Sequence, residues 1–360
     1  MKTSTLPPRS VLFSVLWWGI VAFFDAPMLR LFGASDALLP LAQDYLLPIK
    51  FTVPFFLFNQ MLAAFLRNDG SPALATAGVL AGGIFNVFGD WFFVFACDMG
   101  IFGAGLATAI GAGISFCVML THFFSRRCTL RLVRPKRILL QTQQILVTGF
   151  STFFIDVAMG ILTMLFNRQI MRYIGTDGLA VYGIIVNIST FVQCCAYSVG
   201  QAAQPILSRN LGARAWPRIR QTLRYALYTV AFFSVFWTAL VLAVPNGFVR
   251  VFMSPTESVL AAAPAIMRSY GISFLLLPLN IFSTYYFQSL MKPGAAFIVS
   301  VARGLVISGA LIYALPALAA PEALWFAMPV TELIVAVFVV QRMARYTRAL
   351  GKAPAPSAAR

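Results

Sequence analysis

Residues 72–97 read PALATAGVLAGGIFNVFGDWFFVFAC and contain a single charged residue, Asp90. An α-helix rises about 1.5 Å per residue, so this stretch is long enough to cross the roughly 30 Å hydrocarbon core of a bilayer. The turn RNDGSP at 67–72 leads into it, with Ser71 as the predicted N-cap and Pro72 at the first helical position. The pattern predicts a transmembrane helix that begins at residue 72.

Similar apolar runs recur along the whole chain. Hydrophobic residues make up 60% of the 360 residues and charged residues 11%, against roughly 45–50% and 25% in soluble domains. Too few charges are present to cover a soluble surface. The sequence therefore predicts an all-α polytopic membrane protein with ten transmembrane helices. They are expected at about 11–33, 45–66, 72–97, 102–124, 143–168, 178–206, 221–244, 262–289, 294–315 and 322–342.

Basic residues are distributed unevenly over the loops. When the N-terminus is placed inside and the spans alternate, 20 of the 27 Lys and Arg residues fall on the inside. Basic loops stay in the cytoplasm, so we expect a multi-pass protein of the inner cell membrane with both termini cytoplasmic. The same bias accounts for the formal net charge of +16. It does not indicate nucleic-acid binding, because the sequence contains no soluble basic domain.

The chain repeats itself with an offset near 220 residues. FSVLW at 13–17 matches FSVFW at 233–237, and Pro72 corresponds to Pro293. Spans one to four thus echo spans seven to ten. An internal duplication of this kind is typical of transporters that hold their substrate between two halves.

The duplication is incomplete, because spans five and six have no upstream counterpart. This predicts an incomplete four-helix N-terminal lobe with a basic cytoplasmic loop at 1–137, a six-helix C-terminal lobe at 138–348 and a cytoplasmic tail at 349–360. One explanation is that two first helices are missing, which would leave an open apolar face in the first lobe. The alternative is that the four-plus-six form is the evolved one.

Several motifs, in their order and spacing, resemble the multidrug and toxic compound extrusion (MATE) family. They are RNDGSP at 67–72, Asn86 with Asp90, GAGLATAI at 103–110, Gly183-Ile184 with Asn187, Gly200-Gln201, Gln204-Pro205-Ile206 and RNLGA at 209–213. The resemblance runs from about residue 11 to 345. It implies two six-helix lobes that form a V, and export of amphipathic, often cationic compounds in exchange for protons or sodium. Family members carry two helices before this match, the first often with an acidic residue used in coupling, and no residue here inherits that role.

Asp156 is the acid that the sequence singles out for ion coupling. Its face of the fifth span carries mostly small and polar residues at helical spacing, namely Gly149, Phe153, Gly160, Thr163 and Asn167. An ionisable residue at a helix centre costs about 2.5–3.5 kcal/mol on insertion scales, so its presence needs a reason. A carboxylate there can bind a proton or a cation, and the resemblance implies an acid at or near this position. The alternative role is structural hydrogen bonding.

Other polar residues are predicted to line the transport path. Asn187 and Gln201 lie on one polar face of the sixth span, with Gly183, Thr190, Cys194 and Ser198. Asn86 and Asp90 are candidates in the first lobe, and the alternative for Asp90 is that it holds a neighbouring helix. The eighth span is expected to add a cavity face formed by Tyr270, Asn280, Thr284 and Gln288.

Two pairs of charges and two prolines are interpreted structurally. Arg303 and Glu332 lie at similar depth on consecutive spans and predict a structural ion pair. Asp25 is expected to pair with Arg30 at the membrane interface. Pro54 and Pro278 occupy equivalent spans of the two halves, where proline allows a kink.

The leading interpretation is a monomeric secondary antiporter that exports drug-like or toxic organic cations in exchange for H⁺ or Na⁺. One alternative is a transport-inactive fragment or structural membrane protein. Another is a flippase for lipid-linked oligosaccharides, from the same superfamily. A flippase would favour basic residues along its cavity to hold phosphates, and Arg303 is the only clear one.

Enzyme chemistry is not expected from this sequence. It shows no Ser/His/Asp set, no acid pair and no phosphate loop, so no catalytic residue and no cofactor are predicted. The five cysteines lack metal-ligand spacing and His122 is the single histidine, so no metal site is predicted either. Four of the cysteines lie in apolar runs and are interpreted as small buried residues.

Overall fold

The computed structural model describes residues 18–31, 39–125, 128 and 138–350, without the side chains at 138–142, 144–149, 151–152 and 154–156. The secondary-structure elements in these residues are all helical, as the composition predicts. The chain forms two compact units, Met1–Ile138 and Leu139–Arg360. The division lies one residue from the lobe boundary expected from the repeat.

The first unit consists, in its described part, of helices joined by short turns. They include α1 (Asp25–Leu31), α2 (Leu39–Lys50), α3 (Val53–Asn68), α4 (Pro72–Trp91) and α5 (Gly100–Leu120). A π-helical turn, Phe92–Ala96, extends α4, and a 3-10 turn, Thr121–Phe124, extends α5. The predicted start of α4 is confirmed, with Ser71 at the N-cap and Pro72 in the first turn, although the Ser71 side chain makes no capping hydrogen bond.

Glycines bring α4 and α5 into backbone contact. A Cβ atom added to Gly82 would collide with Ser115 Oγ and with the Gly111 carbonyl, and one added to Gly111 would lie 2.7 Å from the Gly82 carbonyl. Small residues at such an interface are typical of membrane helices, whose association depends on close packing. This packing fixes where the polar residues of α4 lie against α5.

Gly82→Ala is therefore expected to destabilise the first unit, by about 1–3 kcal/mol, because the added methyl group forces the two helices apart. Gly83→Ala is the matched control: a Cβ there meets no atom within 4 Å, and alanine favours helix by about 1 kcal/mol. The melting temperature of the detergent-purified protein should fall for Gly82→Ala and be unchanged or higher for Gly83→Ala. Equal melting temperatures for the two variants would contradict this packing.

The second unit contains longer helices. They are α6 (Ile138–Tyr173), α7 (Thr176–Gly212), α8 (Trp216–Ala243), α9 (Pro245–Phe252), α10 (Glu257–Gly271), α11 (Leu277–Ser289), α12 (Pro293–Val301), α13 (Ile307–Leu318) and α14 (Ala327–Ala349). A π-helical turn, Ala302–Val306, joins α12 to α13, and a 3-10 turn, Pro321–Phe326, precedes α14. Two apolar clusters form its core, and α7 contributes to both, with Ile185 and Ile188 in one and Leu207 in the other.

Among the described residues, seven helical segments are long and apolar enough to cross a membrane. They are Pro72–Ala96, Gly100–Phe124, Thr176–Gly212, Trp216–Ala243, Glu257–Ser289, Pro293–Leu318 and Pro321–Ala349. These coincide with predicted spans three, four and six to ten. Helices α2 and α3 together form an eighth candidate, bent by 55°. Of the remaining two, α6 covers the fifth predicted span without being among the seven, and both ends of the first predicted span, 11–17 and 32–33, lie outside the described residues. The count of ten therefore stays a prediction.

Pro54 and Pro278 both follow a break in a helix. Pro54 lies in the first turn of α3, directly after the 55° bend. Pro278 lies in the first turn of α11, after the 3-10 turn Ile272–Leu275. Proline has no backbone N–H and is tolerated in a first turn, where that group has no helical partner. The α-helical geometry is thus interrupted before each proline, by the bend before Pro54 and by the 3-10 turn before Pro278, where the sequence expects that a kink is allowed.

An apolar cleft of about 750 Å³ opens on the first unit. Side chains of α2, of the turn after it and of α5 line it, among them Leu47, Phe51, Leu106, Ile110 and Cys117. The incomplete repeat predicts an open apolar face in this unit. That two further helices would cover the face stays a prediction.

The prediction that the cysteines in apolar runs are buried is wrong. Cys97, Cys117 and Cys194 are exposed and Cys195 is half-buried. In a membrane protein an apolar run faces lipid as readily as it faces the core, so apolar surroundings along the chain do not imply burial.

Candidate functional site

Helix α7 has one exposed face that is largely polar. Gly183, Asn187, Thr190, Cys194 and Ser198 are exposed along it, and Gln201 is half-buried at its end. The Asn187 amide donates to the Gly183 carbonyl at 3.0 Å, and the Ser198 hydroxyl to the Cys194 carbonyl at 2.8 Å. These donors are satisfied inside the helix, so the side-chain oxygens remain available as acceptors for water or a ligand.

The exposed faces of α8 and α14 are largely apolar in the middle of each helix. On α8 the exposed side chains include Tyr228, Phe232 and Val235, and on α14 they include Ile334 and Val337. Such faces suit contact with lipid chains. Polar groups without water cost free energy in hydrocarbon, so the polar face of α7 indicates contact with water within the membrane.

Helix α6 has open positions one turn before and one turn after residue 156. Its buried side chains recur at helical spacing at Ala158, Leu162 and Phe166. Phe153, one turn before residue 156, is exposed, and a Cβ on Gly160, one turn after it, would meet no atom within 4 Å. The Asp156 side chain itself lies outside the described residues.

The first unit contains a second polar cluster, between α2, α4 and α5. Asn86 Nδ2 donates to Thr108 Oγ1 at 3.1 Å, and Tyr45 Oη lies 3.5 Å from the same hydroxyl. Thr108 in turn donates to the Ala104 carbonyl at 3.1 Å. Asn86 thus ties α4 to α5, while Thr108 and Tyr45 were not singled out by the sequence. Thr108 is part of the motif GAGLATAI, but the motif alone does not indicate a role for its hydroxyl group.

Asp90 lies one helical turn after Asn86 and is half-buried. Its Oδ1 atom is inaccessible to solvent and has no hydrogen-bond partner among the described residues. A buried carboxylate oxygen without a partner is costly unless it binds a proton or a cation. Within the described residues this oxygen does not hold a neighbouring helix, and the transport role of Asp90 stays a prediction.

Arg303 and Glu332 form an ion pair in the second unit. Arg303 Nε donates to Glu332 Oε1 at 2.6 Å, and the two side chains are 6% and 0% exposed. Asn280 Nδ2 donates to the other carboxylate oxygen, also at 2.6 Å. The network joins α11, the π-helical turn and α14, so both charges are compensated inside the unit.

The predicted cavity face on the eighth span is wrong. Tyr270, Asn280, Thr284 and Gln288 are all at least nine-tenths buried. Tyr270 packs edge-on against Phe166, and Asn280 holds Glu332. The polar pattern of this span therefore serves contacts between helices rather than a cavity.

Asp25, at the start of α1, forms an ion pair with Lys50, at the end of α2. Lys50 Nζ lies 2.6 Å from Asp25 Oδ2, and Gln43 Nε2 donates to the same oxygen at 3.1 Å. The partners that the structure places on Asp25 thus come from α2. The predicted pairing of Asp25 with Arg30 stays a prediction.

The sequence of this chain is similar to a known protein family and to known proteins. The MatE family model matches residues 9–92 and 151–313. The multidrug export protein MepA of Staphylococcus saprophyticus is 22% identical over 289 residues, which cover 79% of this chain and 63% of the relative. The chain thus spans less than two thirds of the length of that relative.

Two solved structures share the fold. The MATE multidrug transporter DinF-BH is 26% identical, with a TM-score of 0.82, over 94% of this chain and 76% of that one. An outward-facing multidrug resistance MATE family transporter of the MOP superfamily is 17% identical, with a TM-score of 0.85, over 96% and 79% of the two chains. The second likeness, at that identity, concerns the fold alone.

Proposed function

The chain belongs to the MatE family, and on this premise we propose that it is a secondary active antiporter that exports amphipathic or cationic organic compounds. The polar exposed face of α7 is the observation that carries the proposal. A helix long and apolar enough to span a membrane exposes Asn187, Thr190 and Ser198 in its middle. Such a face suits a water-filled path for a solute and not contact with lipid.

Aromatic side chains beside this face support the substrate class. Phe191 is 54% exposed and is adjacent to Thr190 on α7. Its ring stacks on that of Trp237, with centroids 6.2 Å apart. An aromatic face next to polar acceptors favours a flat organic cation, which gains cation–π and hydrogen-bond contacts together. The names of the MepA relatives, multidrug export proteins, agree with such a substrate.

We propose that an acidic residue in each unit binds the coupling ion, H⁺ or Na⁺. In the first unit Asp90 Oδ1, one turn from Asn86, is the group that would take up the ion, since it has no partner among the described residues. In the second unit Asp156 has this role, one turn before the open position at Gly160, with Asn187 and Gln201 offering acceptors on α7. We also propose a monomer in the inner membrane with both termini in the cytoplasm, from the charge bias of the loops.

The flippase interpretation is less well supported than the antiporter. It relied on Arg303 to hold a phosphate, and Arg303 is buried against Glu332. A transport-inactive or structural membrane protein remains the alternative that the following experiment separates from the antiporter.

The test measures ethidium transport and the labelling of Cys194 by a maleimide. In a variant with Cys194 as its sole cysteine, reconstituted in vesicles, an imposed H⁺ or Na⁺ gradient is expected to drive ethidium transport. A bulky water-soluble maleimide should react with Cys194, because its face is expected to be hydrated, and should block that transport. Excess ethidium should slow the labelling.

A sole cysteine introduced at Val235 is the control, because Val235 is 58% exposed on the apolar face of α8. A water-soluble maleimide should label it slowly, and ethidium should not change its rate. Absence of ethidium transport under either gradient would contradict the antiporter and favour the structural alternative. Equal labelling of the two sites would contradict the hydrated face of α7.

A further inference from the structure

Three metal-ligating side chains meet at one end of the first unit. His122 Nε2 lies 2.7 Å from Asp69 Oδ2, and their side chains are 1% and 4% exposed. The Cys128 thiol joins them, so that a carboxylate oxygen, an imidazole nitrogen and a sulfur all lie within 4.8 Å of one another. The three residues come from separate places: the turn after α3, the 3-10 turn after α5, and the segment beyond it.

We propose that Asp69, His122 and Cys128 form a binding site for a zinc-class divalent cation. Sulfur, imidazole and carboxylate are the ligands of Zn²⁺ in proteins, at about 2.0–2.3 Å, so bound ligand atoms lie roughly 3.3–3.8 Å apart. The three atoms need only small shifts to reach that spacing. Three protein ligands leave the fourth tetrahedral position for water.

The ligand atoms of this site differ from those of the acids that are proposed to bind the coupling ion. Thiolate and imidazole select borderline-soft transition ions, whereas Na⁺ prefers oxygen ligands.

The sequence predicted no metal site because the cysteines lack ligand spacing, and a pair as far apart as Asp69 and His122 gives no motif. Bound metal would tie the turn between α3 and α4 to the segment after α5, at the end of the unit that is predicted to face the cytoplasm.

The test uses a variant that retains Cys128 as its sole cysteine, with Cys97, Cys117, Cys194 and Cys195 replaced by Ser. Titration of the chelator-treated, detergent-purified protein with Co²⁺ should produce a saturating thiolate-to-cobalt absorption at one equivalent. Zn²⁺ should abolish the band, protect Cys128 from maleimide and raise the melting temperature. In His122→Gln the affinity for Co²⁺ should fall about tenfold or more.

Two control variants test whether the Cys128 thiol is a metal ligand. A protein with Cys117 as sole cysteine retains the Asp69–His122 contact and an exposed thiol on α5, and it should give no thiolate band. Cys128→Ser in the full chain should remove the effect of Zn²⁺ on melting temperature without lowering the temperature itself. Absence of a saturable band with Cys128 alone, or an equal band with Cys117 alone, would overturn the site.

Discussion

Glu332→Ala is expected to destabilise the second unit by about 3–5 kcal/mol, because it leaves the buried guanidinium of Arg303 without its counter-charge. The carboxylate that is lost accepts from Arg303 Nε and from Asn280 Nδ2, each at 2.6 Å, and is 0% exposed. The melting temperature of the detergent-purified protein, followed by circular dichroism, should therefore fall well below that of the unmodified chain.

Two variants identify the cause of that loss. Glu322→Ala removes an exposed carboxylate from the same unit and should change stability by less than about 0.5 kcal/mol. The double variant Arg303→Met with Glu332→Leu replaces the pair by apolar side chains of similar size and should recover most of the stability. If Glu332→Ala melted like the unmodified chain, the ion pair would contribute nothing and this account of the network would be wrong.

Asp156→Asn is expected to reduce ion-driven efflux of ethidium to background while the protein continues to be expressed and folded. Asparagine keeps the shape and the hydrogen bonding of the side chain but cannot take up and release a proton or balance a bound cation. No basic residue occupies the adjacent helical positions, and Arg168 is twelve residues away, roughly 18 Å along the helix. The assay is gradient-driven ethidium transport in vesicles that contain equal amounts of each protein.

Asp44→Asn is the control, since Asp44 is exposed on α2, and its efflux should equal that of the unmodified chain. Efflux at the unmodified rate in Asp156→Asn would show that Asp156 has a structural role. Coupling would then be assigned to Asp90, whose buried Oδ1 has no partner among the described residues. Glu332 would not be the alternative, because both of its carboxylate oxygens are engaged inside the core.

The candidate site could be predicted only in part, and particular residues show why. The polar stripe through Asn187 and Ser198 was readable, because a period of 3.6 residues defines a face of a helix. Which way that face points was not readable: the same kind of stripe on α11, through Asn280 and Thr284, is buried. Spacing along one helix contains no information about the neighbour that covers it.

The sequence by itself determined the class of this protein: an all-helical membrane protein, the positions of seven spans, the breaks at Pro54 and Pro278 and the family. These properties follow from the composition of each segment and from the order of motifs along the chain. Neither depends on contacts between segments. The tertiary structure decided which polar groups are paired, which are exposed and which meet across the chain. Asn280 with Glu332 and Asp69 with His122 are 52 and 53 residues apart, and only the packing of helices sets contacts over such separations.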